Sequence, residues 1–113
     1  MSRTVDSNGP IETFCQRAEG PVSRGSAYSF DQILVGDRVA LCFAAEDTKS
    51  PYSLRVKAPN GALVIERLLR ELPTGLPQSE PPVTFVVSSA GNYQVEIREL
   101  TGKSWGQATI RVG

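Results

Sequence analysis

Alternation of apolar and polar positions with period two runs through most of the second half of the chain. Val39, Leu41 and Phe43 alternate with the small residues Ala40, Cys42 and Ala44, which predicts a strand covered on both faces, one bulky and one small. Tyr52, Leu54, Val56 and Ala58 alternate with Ser53, Arg55 and Lys57, the pattern of a strand with one wet face. That strand runs into the turn Pro59-Asn60-Gly61. Val83, Phe85 and Val87 alternate into a bend over 88–92. Tyr93, Val95 and Ile97 then alternate with Gln94, Glu96 and Arg98. Beyond Thr101-Gly102-Lys103, Ala108, Ile110 and Val112 oppose Thr109 and Arg111, so the chain ends on a strand.

Residues 62–72 fit two templates. Ile65, Leu68, Leu69 and Leu72 fall at helical spacing, with Glu66/Arg70 and Arg67/Glu71 as i,i+4 pairs. Leu63, Val64 and Ile65 directly follow a hairpin-type turn, however, and the neighbouring segments read as strands. A strand over about 62–67 with an irregular continuation is therefore preferred. Residues 73–82 (PTGLPQSEPP) are too rich in proline for a helix or a central strand and make one long loop. Upstream, 27–35 is apolar and β-prone, and Ile11–Gln16 suits a short edge piece. Residues 1–10 (MSRTVDSNGP) are polar and read as a flexible leader.

Seven or eight short strands without a crossover helix predict one all-β domain over 11–113. Two one-sided sheets hide their apolar faces against each other, as an antiparallel β-sandwich of Ig-like or jelly-roll-like type.

Composition narrows the chemistry. With 113 residues and no histidine, the chain lacks the commonest general base and metal ligand, and Ser-His-Asp or Cys-His catalysis is unavailable. Asp31, Asp37, Glu46 and Asp47 supply oxygens near one rim but without EF-hand spacing, so they read as solvated loop residues and no metal or cofactor is expected. Twelve bases balance twelve acids, which leaves no electrostatic footprint for nucleic acid. No stretch approaches the length of a membrane span, and residues 1–10 are polar and do not read as a secretory signal. Cys15 and Cys42 form no CxxC; a disulfide joining the first strand to the central one, and a pair of buried thiols, are both open.

The pieces AYSF (27–30), VGDRVALCF (35–43), SLRVKAPNGALV (53–64) and AGNYQVEI (90–97) resemble, in order and spacing, the bacterial pre-peptidase C-terminal family of β-sandwich modules. A weaker similarity, through Pro-x-Gly followed by Gly-x-Tyr, links the chain to Golgi-dynamics modules. The first resemblance implies an exported, noncatalytic accessory domain, secreted or periplasmic, that helps a partner domain fold or contacts a protein or polymeric substrate. The chain lacks the acidic cluster that calcium-binding members carry near the first strand.

Individual residues carry two readings each. Tyr93 is either a tyrosine corner or a core aromatic. Trp105, just after a tight turn, is either an exposed contact anchor or a ring folded over the end of the core. Arg55, Lys57, Arg98 and Arg111 are expected on one wet sheet face, tempered by Glu96, as a solvated strip or a site for an acidic partner. The function expected is a noncatalytic binding or accessory module acting on a protein or polymer surface. The alternative is a structural protein that self-associates through a strand edge or the proline-rich loop.

Overall fold

The computed structural model describes residues 5–17, 33–76 and 78–113. Eight strands form: β1 (Val5–Asn8), β2 (Glu12–Arg17), β3 (Arg38–Ala44), β4 (Tyr52–Lys57), β5 (Leu63–Leu69), β6 (Val83–Val86), β7 (Gly91–Glu99) and β8 (Trp105–Val112). They build a five-stranded sheet in the order β1-β8-β7-β4-β5 and a three-stranded sheet in the order β2-β3-β6. Every strand pair is antiparallel, and a single parallel bridge joins Ile33 to Val112. The fold is all-β, a two-layer sandwich with no helix among the described residues.

The alternation read from the sequence places the core. Tyr52, Leu54 and Val56 of β4, Tyr93, Val95 and Ile97 of β7, and Ala108, Ile110 and Val112 of β8 turn inward. There they meet Val39, Leu41 and Phe43 of β3 and Val83 and Phe85 of β6. Phe85 and Tyr93 touch across the two layers with ring centroids 5.9 Å apart. The Tyr93 hydroxyl accepts the Ser88 and Ser89 N–H groups at 3.0 and 3.2 Å, tying the 88–92 bend to the strand that follows, as a tyrosine corner does. Burial pushes that hydroxyl's pKa up, and the hydrogen bonds from Ser89 and Ser88 outweigh it, leaving the group below the ordinary tyrosine value.

The small-residue face of β3 is also sealed. Ala40 and Cys42 bury against Phe14 of β2, with Ala44 packed beside them. This arrangement decides the cysteines. Phe14 stands opposite Cys42 and Cys15 opposite Leu41, so the two thiols project from opposite faces of the small sheet. Cys15 joins the inter-sheet core, Cys42 the outer cluster, and both are free. The disulfide reading of Cys15 and Cys42 is thereby corrected.

Two further expectations change. The polar N-terminal run is not a leader over its whole length: Val5–Asn8 form a strand paired to β8, with Val5 fully buried. Residues 62–72 hold a strand, β5, two residues longer at its end than expected, and no helical turn. The hairpin before it closes through Ala58 N–H donating to the Ala62 carbonyl at 2.8 Å, with Gly61 at a φ of 87° that suits glycine. Most of the strand expected over 27–35 lies outside the described residues.

Candidate functional site

The outer face of the five-stranded sheet gathers the five residues read from the sequence as binding candidates. Arg55 and Lys57 project from β4, Arg98 from β7, and Trp105 and Arg111 from β8, all at positions alternating with the buried core residues of those strands. Register orders them into rows. Leu68, Ser53, Arg98 and Trp105 follow one another across four strands, and the next row runs Glu66, Arg55, Glu96, Gln107, Asn8.

Cross-strand pairing sets the charge of this face. Arg55 Nε lies 2.7 Å from the Glu66 Oε2 directly opposite it, and Arg111 reaches Asp6 Oδ2 at 2.6 Å. Lys57 and Arg98 have no ion pair among the described residues. A strip that reads as four cations in the sequence thus retains two uncompensated ones, with Glu96 between the rows.

An open depression of about 710 Å³ lies over β5, β4 and β7, lined by Ser53, Arg55, Glu66, Leu68, Glu96 and Arg98. A second, of about 500 Å³, adjoins it toward β8 and shares Glu96 and Arg98, with Lys103, Trp105 and Gln107 on its far side. Polar groups of both signs beside an exposed leucine suit reversible contact with an extended surface. Among the described residues no group of three or more His, Cys, Asp or Glu side chains is placed to hold a metal ion.

Trp105 has a structural partner. Its ring lies over Gly9, whose φ is 98° and where a Cβ would stand 2.8 Å from ring atoms Cε3 and Cζ3. Its carbonyl accepts the Ile11 N–H at 3.0 Å. The ring covers the β1–β2 turn on the outer face rather than the end of the core, and it remains 44 % exposed. Arg111 does similar work through Asp6 of β1. Sequence reasoning passed over Leu68, which at 73 % exposure stands in the same row as Arg98 and Trp105. Its signal was the apolar excess of 63–69 beyond what one covered strand face needs.

Asp47, one of the rim carboxylates, is engaged by its own turn. That carboxylate is held below its usual range by the Ser50 hydroxyl and the Lys49 N–H, so it is spent on the turn leading into β4. No family model matches this chain, and no curated protein and no solved structure shows significant similarity to it.

Proposed function

We propose that this chain is a noncatalytic β-sandwich binding or accessory module that docks a protein or polymer surface on the outer face of its five-stranded sheet. The observation that supports it best is the pair of adjoining depressions sharing Glu96 and Arg98, where a cation without an ion-pair partner among the described residues sits beside exposed Leu68 and half-exposed Trp105. Arg98 is the residue expected to dominate recognition, since burying it against a partner carboxylate or hydroxyl array uses hydrogen-bond donors that no described side chain engages. Lys57 contributes charge from the next row but one. Arg55, Arg111 and Trp105 shape the surface while committed to contacts of their own. The likeness of several short segments to pre-peptidase C-terminal modules points the same way, toward an accessory domain of a larger, exported protein.

NMR titration with soluble polysaccharide fragments and with extended peptides tests this reading. Shifts confined to Ser53, Arg55, Glu96, Arg98 and their row neighbours, abolished by Arg98→Glu, are expected. Turnover of a hydrolase or protease substrate by the purified chain, or shifts confined to the small sheet, contradicts it.

A further inference from the structure

β5 ends the five-stranded sheet on the side away from β1, and no described strand pairs with its outer edge. Alternate N–H and C=O groups of an edge strand face outward and are ready to pair with another strand. Proteins guard such edges with prolines, bulges or charges. β5 has no proline, and its register shift opposite Val56/Lys57 accommodates the extra residue Val64 near its start. The regular part of the edge is therefore Ile65 to Leu69, and it carries Leu68, the most exposed of the large hydrophobic side chains described.

Charge selects what fits there. When a strand pairs antiparallel with its own copy, a two-fold axis passes through one residue and residues equally far on either side of it meet across the axis on one sheet face. An axis through Arg67 sets guanidinium against guanidinium, one through Glu66 sets carboxylate against carboxylate, and one through Ile65 brings in the bulge. An axis through Leu69 also opposes unlike charges, Arg67 and Glu71, but it centres on a side chain packed against the core and sets exposed Leu68 against Arg70. An axis through Leu68 sets leucine against leucine and brings Glu66 opposite Arg70, the next residue in the same i, i+2 series. Like charges directly opposite destabilise a sheet and opposite charges support it.

We propose that β5 pairs antiparallel with β5 of a second copy of this chain about an axis through Leu68, so that Glu66 of each copy faces the partner's Arg70. The two sheets then join into one of ten strands. Arg55, already 2.7 Å from Glu66, completes a cation-anion-cation row on the outer face. The overlap is short, which makes the dimer a weak one, populated at micromolar concentrations and above. The assembly shares Glu66 and Leu68 with the rim of the docking depression but does not require that the sheet face bind anything.

Disulfide trapping tests it. Opposed residues of an antiparallel pair have Cα atoms about 4.5–5.5 Å apart, inside disulfide range. Native Cys15 and Cys42 are buried and do not compete. Leu68→Cys is expected to oxidise to a covalent dimer at least about tenfold faster than Val86→Cys, which is 51 % exposed on β6. In sedimentation equilibrium of the full chain, Arg70→Glu is expected to weaken association by about tenfold, and adding Glu66→Arg to recover most of it. Circular dichroism checks that each variant folds. A monomer at every concentration up to about 1 mM overturns the proposal, given the affinity such an overlap allows. So does equal trapping at positions 68 and 86, or a dimer indifferent to Arg70→Glu. The face titration above reads the docking function whichever way this falls.

Discussion

The two ends of the five-stranded sheet handle the same problem in opposite ways. At the β1 end, outward side chains turn back onto the chain: Trp105 lies over Gly9, Arg111 pairs with Asp6, and the Ile11 N–H binds the Trp105 carbonyl. β2 packs across β1 and β8 from the other layer. At the β5 end the outward residues Leu63, Val64 and Leu68 meet solvent, and among the described residues the Arg55–Glu66 pair is the one ion pair that ties the last strand to its neighbour on that face. One end spends its aromatic and its arginine on closing the fold. The other leaves apolar surface and backbone edge available, which is where contact with another molecule is expected.

Substitutions of matched chemistry at the two ends sharpen this contrast most. Val5→Asp places a charge in a fully buried site and is expected to cost about 4 kcal/mol or to unfold the domain, read by urea denaturation. Leu68→Asp is expected to change monomer stability by less than about 0.5 kcal/mol. Equal losses would erase the distinction. Next in size is Gly106→Ala. Gly106 is buried where β8 passes the β1–β2 connection, and a Cβ there would run into the Ile11 carbonyl oxygen, at a cost of about 2–3 kcal/mol. A neutral result would mean that the β1 end is looser than described.

Alkaline pH acts on the closed end through Cys15, on the strand that crosses it. Burial, with a smaller effect of Cys42, pushes the Cys15 thiol from 9.0 up to about 12, and burial pushes Cys42 up to about 11. Above pH 9 the unfolded chain releases thiol protons that the folded chain retains, so stability is full below that pH and falls as pH rises toward the folded values. Cys15→Ala is expected to cost about 1–2 kcal/mol near neutrality and to flatten this alkaline loss. Both thiols are expected to react with a thiol reagent in unreduced, denatured protein. Among the losses expected at the closed end the smallest belongs to Arg111→Met, about 0.5 kcal/mol, because its partner Asp6 is also solvent-exposed.

How far the sequence could be read follows the same division. The strands with a covered face, β3, β4, β6, β7 and β8, announced themselves by alternation, and alternation also put Arg55, Lys57, Arg98 and Arg111 on one surface. β1 was missed because Val5 is its one fully buried residue, and what holds the strand, pairing with β8 and the Arg111 guanidinium that binds Asp6, lies about a hundred positions away along the chain. β5 was ambiguous because an edge strand whose inner face is only partly covered has no obligatory polar side; Leu68 outward and Leu69 inward mimic a helical stripe. Which arginines are neutralised depends on strand order and register, and so does the cysteine geometry. Neither is contained in the 27-residue spacing of Cys15 and Cys42.

Residue-resolved amide hydrogen exchange, run dilute and concentrated, tests the contrast most directly. The account predicts that amides of β1 are protected alongside those of β8 at every concentration, whereas the outward-facing amides of β5 exchange quickly in dilute solution and slow as concentration rises. A β1 that exchanges like an unstructured tail, or a β5 edge protected in dilute monomer, would contradict it.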